Sequence, residues 1–475
     1  MSPRRTDKRR HSLPTPMADR QPDRSAGDGE RGVASHAASN GEIAGAPAAA
    51  AISVVCEVTV QSIAAGGDGV GRVEGRVIFI PRTAPGDQAR VRATTVRGGR
   101  FARGTLLGIL RASPERVTPE CVHYVRDQCG GCQLQHLRYA SQLVAKGAIV
   151  RDALVRIAHR AVADVVVDPS PRQWRYRRKL TLTLRRGGVG GRGWIAGLRR
   201  IDAPDSIFAL EDCPITDEGV VGVWRAIMRV AALLPDAPAL RGGVRTTDRG
   251  YALHVEGGTQ WDHCRELLAA VPALTELWWT PERGTRRRVG SATDDGDPSD
   301  IADRTGASFT QVNATVSAAL HADVVDRAMA HGPRTVIDAY AGIGVTAVAL
   351  AKRGVAVVAI EVDRDASKQC AAAMPPSSRA VAARVEDALP GALPSDVVVL
   401  NPPRTGVAAA VTAALRDASP PPRAVVYVSC DPATLARDVE RLPGWRVMAV
   451  RAFDMFPQTA HVETVCELVP EGAGR

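Results

Sequence analysis

Aromatic side chains make up only 4% of the 475 residues, and lysine is rarer still beside the abundant arginine. Cores must therefore be built mainly from aliphatic residues, for which an apolar fraction of 45% is ample. Nine cysteines in a chain of this length exclude a disulfide scaffold. No charged, apolar and small-residue series resembling a secretory leader opens the sequence. Its longest early apolar stretch, Ile43 to Cys56, is Ala-rich and too short to span a bilayer. These absences predict a cytoplasmic protein with no membrane association, and no obligate protein partner is evident.

Acidic residues are also in deficit, 51 against 61 Lys and Arg, which gives a formal charge of +10 and a pI near 9.4. That excess favours a polyanionic partner such as nucleic acid over an acidic small molecule. A GC-biased genome would explain arginine in place of lysine, but not the net excess. The length suggests two to four domains.

Residues 1–52 are rich in Arg, Pro, Ser, Gly and Ala without apolar periodicity, which predicts a disordered tail. Residues 53–112 change to short alternating strands broken by glycine, the texture of a small β-barrel. Between Ser53 and Glu120 there are ten arginines, no lysines and six acids, and Phe79 and Phe101 offer stacking faces or core filling. Basic charge beside aromatics suits single-stranded or looped RNA.

Cys121, Cys129 and Cys132 follow, with Gly130 and Gly131 permitting a tight turn, and Cys213 comes far downstream. Three clustered thiols and a distant fourth make a tetrathiolate set. Spacing alone puts zinc ahead of an iron-sulfur cluster and leaves unligated thiols open. Residues 134–160 carry apolar positions at helical spacing, including Leu143, Val144, Ile149, Val150, Leu154 and Ile157, and predict one long helix. Residues 161–305 read as strand-rich. Within them WRYRRKLTLTL places basic residues around Tyr176 on an expected RNA-facing strand, and Thr285 to Thr305 is expected to be a loop.

From residue 306 the pattern alternates strand and helix. TVIDAY, AGIG and VTAVALAKRG are followed by VAVVAIEVD, with Glu361 near the end of that second strand. Gly342 and Gly344 allow close backbone approach to a nucleotide cofactor, and Glu361 can accept hydrogen bonds from ribose hydroxyls. A dinucleotide-binding dehydrogenase differs only by a further glycine and stays open on this feature alone. A later strand ends in Asn401-Pro402-Pro403-Arg404, where the prolines stiffen the backbone and Asn401 offers a donor and an acceptor. Another apolar run, Ala424 to Ser429, delivers Cys430 to the strand edge where α/β sheets bind ligands.

With FTQVN at 309 to 313, DAYAGIG at 338 to 344, NPPRTG at 401 to 406, VSCDPATLARD at 428 to 438 and FPQTAHVE at 456 to 463, the chain resembles the SAM-dependent RNA 5-methyluridine methyltransferases (class I). The segment SIAAGGDGVGRVEGRVIFIPRTAPGDQARVR is similar to the TRAM module, an OB-like RNA-binding barrel. Together these imply a multidomain chain: a TRAM-like barrel at 53–112, an α+β central cysteine-cluster domain at 113–133 and 161–305, and an α/β Rossmann-like methyltransferase domain at 134–160 and 306–470. The helix of 134–160 would then pack on the catalytic domain.

The resemblance implies that Cys430 adds to carbon 6 of uracil and that Glu463 removes the carbon-5 proton. It implies S-adenosyl-L-methionine as cofactor, contacted by Gln311, Tyr340, Glu361 and Asn401 over the Gly342 and Gly344 backbone. It also turns the set Cys121, Cys129, Cys132 and Cys213 toward a [4Fe-4S] cluster, with zinc second. Two departures stand out: Asn401 replaces a usual Asp, and Asp431 replaces a frequent Asn beside the nucleophile. The barrel favours a 23S rRNA uridine as substrate, with tRNA second. The competing class is a catalytically weakened RNA-binding or RNA-folding protein, against which Cys430 and Glu463 both argue.

Overall fold

The computed structural model describes residues 52–95, 99–187, 193–291 and 312–472. Residues 1–51, expected to form a disordered tail, and Gln311 lie outside the described residues. Among the described residues no helix is long and apolar enough to cross a membrane.

Strict alternation shapes the first five strands. β1 (Ile52–Ile63), β2 (Gly69–Val73), β3 (Arg76–Ile80), β4 (Gln88–Thr95) and β5 (Phe101–Arg111) close into a barrel in the order β1-β2-β3-β5-β4. Val58, Val60, Ile78, Ile80, Ala89, Val91 and Ala102 fill it. The period of two therefore turns Arg72, Arg76, Arg90, Arg92 and Arg103 to solvent. Phe79 and Phe101 meet edge to face with ring centroids 5.7 Å apart, and Phe101 is 54% exposed, so this pair lies on the barrel wall and not in its core. Arg82 faces inward to the protein. Its guanidinium lies 4.1 Å from the centre of the Tyr124 ring and donates to Gln128 Oε1 and the Cys129 carbonyl, tying the barrel to the cysteine loop.

A short β6 (Val167–Asp168) joins the third sheet below. The second sheet comprises β7 (Lys179–Arg186), β8 (Trp194–Arg199), β9 (Ile207–Ala209), β10 (Ala239–Thr247), β11 (Gly250–Glu256), β12 (Leu274–Thr280) and β13 (Arg287–Ser291). Their order is β13-β12-β11-β10-β7-β8-β9. Leu180, Leu182, Leu184, Val244, Leu253 and Leu277 line one face and pack with Val220, Trp224 and Ile227 of the helix Glu218–Arg229. A methyl group on Gly242 would come within 2.6 Å of the Trp224 ring, so glycine is required there.

Two expectations are corrected here. β13 occupies the first part of the stretch expected to be a loop, whose residues 292–305 lie outside the described residues; as an edge strand it pairs on one side only and needs no apolar period. The strand containing WRYRRKLTLTL begins only at Lys179. Tyr176 is buried, and its hydroxyl donates to the Pro457 carbonyl at 3.0 Å, so it braces the protein instead of facing RNA.

The third sheet holds β14 (Thr335–Ala339), β15 (Ala356–Glu361), β16 (Arg379–Ala382), β17 (Val397–Leu400), β18 (Ala424–Ser429), β19 (Trp445–Phe453) and β20 (Glu463–Pro470). Its order is β16-β15-β14-β17-β18-β20-β19-β6, with β20 antiparallel to both neighbours. The central strands read as unbroken apolar runs because both faces are covered. The helices Ala314–Ala330 and Val345–Lys352 pack on one face, and the helices Tyr139–Arg156, Ala409–Asp417 and Pro432–Glu440 contribute to the core on the other.

The helix expected over 134–160 spans only Tyr139–Arg156. Val144 is 74% exposed, whereas Gln142 and Lys146 are buried. Lys146 Nζ donates to Asp454 Oδ1 at 2.5 Å and to the Phe456 carbonyl at 3.1 Å, with both ion-pair side chains fully buried. Removing one partner leaves a charge in the interior without its counterion. Lys146→Met should therefore destabilise the protein by about 3 to 5 kcal/mol in urea unfolding. Arg151→Ala, which breaks an exposed pair with Asp164, should cost less than about 1 kcal/mol. Equal effects would show that burial of the Lys146 pair is unimportant.

Candidate active site

The strand order changes direction between β14 and β17: β15 and β16 extend to one side and β18 to the other. Side chains leaving the carboxyl ends of these two strands line a crevice. The Asn401 amide donates to the Ala339 carbonyl at 3.2 Å, holding the two exits together. Tyr340 has a φ of 61°, a left-handed conformation unusual outside glycine, and turns the chain sharply after β14. Gly344, with a φ of 87°, caps the helix Val345–Lys352; a Cβ there would meet Cys370 Sγ at 2.4 Å.

A Cβ on Gly342 would meet nothing within 4 Å, so open space adjoins the loop backbone. Glu361 accepts from the Gly342 amide through Oε2 and from the Asp363 amide through Oε1, both at 2.8 Å. Tyr340, Gly342, Gly344, Glu361 and Asn401 thus gather around one crevice, while Gln311 lies outside the described residues. Sequence reasoning missed Asp338. Its carboxyl is buried in β14 and pushed up to about 7 by burial, with Glu361 adding to the effect, and its Oδ2 has no hydrogen-bond partner. The available clue was an acid within an apolar strand. An open glycine cradle, an acceptor carboxylate and an orphaned buried oxygen fit a nucleoside cofactor carrying a cationic group.

One strand over, every residue of β18 is buried, and the chain then releases Cys430. Asp431 caps the following helix by accepting from the Thr434 amide at 2.9 Å, with Pro432 in the first turn. Its carboxylate is thereby occupied with capping, and burial, Glu463 and Arg404 all outweigh it at the thiol. In the antiparallel register Ser429 pairs with Thr464, which places Cys430 beside Glu463, the first residue of β20.

Arg404 links these two groups. Burial pushes the Cys430 thiol up to about 11, the Glu463 charge adds to the rise, and a hydrogen bond and positive charge from Arg404 oppose it. Burial likewise raises the Glu463 carboxyl to about 7 against the pull of Arg404. The arginine loop is itself fixed. Asp438 accepts from the Val407 amide at 3.0 Å and the Tyr427 hydroxyl at 2.8 Å, while Arg437 donates to the Thr405 carbonyl at 2.7 Å.

The loop leading into β20 is held by distant parts of the chain. Gln142 and Gln458 exchange hydrogen bonds at 2.9 and 3.0 Å, Tyr176 holds Pro457, and Gln133 Oε1 accepts from the Ala460 amide at 3.2 Å. His461 reaches solvent but lies in a crowded cleft. Desolvation, followed by the charges of Arg404, Lys146 and Arg177, pushes its imidazole down to about 4.

The four clustered-pattern cysteines, Cys121, Cys129, Cys132 and Cys213, are all buried and lie near enough to act on one another electrostatically. Their thiol chemistry suits a metal. Among the described residues, however, no three His, Cys, Asp or Glu side chains form a group that could hold a metal ion. This arrangement gives no support to the expected cluster, nor to zinc.

Comparison with known proteins places these features in context. Residues 54–107 match the TRAM domain, and residues 377–469 match the family described as tRNA (Uracil-5-)-methyltransferase. An uncharacterized RNA methyltransferase of Thermosynechococcus vestitus is 31% identical over 468 residues, covering 87% of this chain and 97% of that protein. A Nostoc relative, also named an uncharacterized RNA methyltransferase, is 32% identical over 458 residues and covers 88% and 97%. In fold, the chain is similar to the crystal structure of Pyrococcus abyssi tRNA (uracil-54, C5)-methyltransferase in complex with S-adenosyl-L-homocysteine. The TM-score is 0.63 at 24% identity, covering 87% of this chain and 100% of that one.

The electrostatic arrangement gives opposite signs for two substitutions. Glu463→Gln removes a negative charge beside Cys430, so the thiol pKa should fall and iodoacetamide should alkylate Cys430 faster at pH 8. Arg404→Gln should slow it. Each unit of pKa corresponds to about tenfold in thiolate while the thiol predominates. Site-specific mass spectrometry reads both rates; equal rates in the two variants would refute the assignment of Arg404 as the shared cation.

Proposed function

The chain belongs to the SAM-dependent RNA (uracil-5-)-methyltransferases, and from that premise we propose that it methylates carbon 5 of a 23S rRNA uridine through Cys430 and Glu463. The observation that carries this reading is the side-by-side placement of these two groups by the β18 and β20 register, with Arg404 acting on both. The outward arginines of the TRAM barrel support RNA as the partner, and the presence of that barrel, not its charge, is the reason for preferring the ribosomal substrate to tRNA.

Uracil carbon 5 is a weak nucleophile until the ring is activated. The target nucleotide is first extruded into the crevice, because carbon 6 is inaccessible in stacked RNA. The Cys430 thiolate adds to carbon 6 and leaves an enolate whose electron density lies on carbon 5. Tyr340, the Gly342 and Gly344 backbone, Glu361 and Asn401 would hold S-adenosyl-L-methionine, with Gln311 added by the resemblance alone, and the cofactor bound there would supply an electrophilic methyl group. After methylation the Glu463 carboxylate takes the carbon-5 proton, the double bond re-forms, and the carbon–sulfur bond breaks to release Cys430. A carboxyl raised to about 7 is suited to accepting this proton near neutral pH.

Asp338 is buried in β14 below the cofactor loop, and when ionised it places negative charge beneath a cationic part of the ligand. Asn401 serves as a neutral donor and acceptor where a charged acid would alter the field. The resemblance alone assigns Cys121, Cys129, Cys132 and Cys213 to a [4Fe-4S] cluster of structural role, and the arrangement of these side chains does not support it. Iron, zinc and acid-labile sulfide assays on anaerobically purified protein test that assignment.

The catalytic proposal is tested with labelled S-adenosyl-L-methionine and unmodified rRNA or tRNA containing 5-fluorouridine. Fluorine blocks loss of the carbon-5 substituent, so a denaturation-stable protein–RNA adduct should form with rRNA and vanish in Cys430→Ala. Glu463→Gln on ordinary uridine RNA should retain adduct formation but reduce turnover by roughly 100-fold or more. An adduct with tRNA alone would reverse the substrate assignment. Methyl transfer undiminished in Cys430→Ala would defeat the mechanism.

A further inference from the structure

A second feature lies on the solvent face of the central sheet. Because the leucines of β7 and the valines and leucines of β10 and β11 turn into the core, the alternate residues form an outer layer. In register, Arg245 stands opposite Lys179, and Gly243 stands between Thr181 and His254. Missing side-chain volume at Gly243 lowers the floor of a shallow hollow, open to solvent and walled by Lys179, Arg241, Arg245, Trp278 and Arg286. Glycine is not demanded by the backbone there: an added Cβ would only approach Thr181 Oγ1 at 3.2 Å and Lys179 Cε at 3.8 Å.

Among the described residues, cations outnumber acids in the lining of this hollow. Glu256 is the acid that lines it, and that carboxylate is already paired with Arg241 at 3.1 Å, while Glu276 of β12 acts on Arg245 from beside it. Neither Lys179 nor Arg245 has a side-chain hydrogen bond or close ion pair among the described residues. Crowding by protein depresses both cations, and for Lys179 the neighbouring Arg241, Arg245 and Arg177 act in the same direction. An anion would relieve that repulsion. Arg177 acts both on Lys179 and on His461 beside the candidate active site, so one cation lies within reach of the hollow and of the cleft.

We propose that the hollow binds backbone phosphates of single-stranded RNA, holding the strand on one side of the nucleotide inserted at Cys430. This inference rests on the RNA methyltransferase reading above. Trp278 is only 9% exposed, its indole nitrogen donates to Glu276, and Arg286 lies 5.9 Å from its ring centre. The ring is thus part of the wall, and the site reads charge without base identity. It adds affinity without sequence preference.

The test measures fluorescence anisotropy of labelled oligouridylate across a sodium chloride series, using the full chain carrying Cys430→Ala so that no covalent step contributes. Adding Lys179→Ser and Arg245→Ser should raise Kd about tenfold at low salt and reduce the slope of log affinity against log salt by about 1.4, or roughly 0.7 per lost phosphate contact. Gly243→Asp, which places an acid on the floor, should weaken binding in the same direction. S-adenosyl-L-methionine binding checks that each variant is folded. Unchanged affinity and salt slope in folded variants would overturn the proposal, as would displacement of the RNA by polyglutamate as effectively as by unlabelled oligouridylate. Failure of 5-fluorouridine trapping in the unsubstituted protein, with this binding result intact, would instead defeat the catalytic reading alone.

Discussion

The buried ion pair between Lys146 and Asp454 joins parts of the chain separated by 308 positions in sequence. In low dielectric each charge requires the other, so the helix Tyr139–Arg156 cannot leave the sheet without exposing a substantial electrostatic penalty. The same lysine holds the Phe456 carbonyl, and Gln142 one turn earlier holds Gln458. The loop that precedes Glu463 is consequently shaped by a helix outside the βα series. Its geometry is a tertiary property, carried by polar groups that have few alternative partners.

At the centre, Arg404 serves two acids of different kinds. It favours the Cys430 thiolate and the Glu463 carboxylate together, while burial resists charge on both. If both acids ionised without the arginine, two negative charges would share a desolvated space. The rigid Asn401-Pro402-Pro403 segment and the Asp438 network position the guanidinium without relying on contact with RNA. Resistance to charge and its local relief are therefore built by different elements, which allows the surrounding protein to tune either one.

Much of this was legible in the chain. The buried runs before Tyr340, Asn401 and Cys430 showed parallel strands, and glycine at 342 and 344 marked the cofactor turn. Resemblance supplied Glu463, whose residue type alone says little. Other features required the folded pattern. Gln142 and Lys146 occupy an inward helix face that apolar periodicity counts as polar, and their partners lie more than 300 residues away. Tyr176, seen beside arginines, looked like an RNA contact because sequence cannot show that its hydroxyl reaches Pro457. β13 escaped notice because an edge strand with one neighbour can be polar on both faces.

The reversed direction of β20 has a consequence for how this cleft can vary. Most ligand-facing groups in a parallel sheet leave from carboxyl ends, and their separation depends on flexible loops. Here a carboxylate at the start of one strand faces a thiol just beyond the end of its neighbour, so their spacing is counted in ladder rungs. The loops above can drift in sequence, while the distance between this thiol and this carboxylate stays quantised by the pleat.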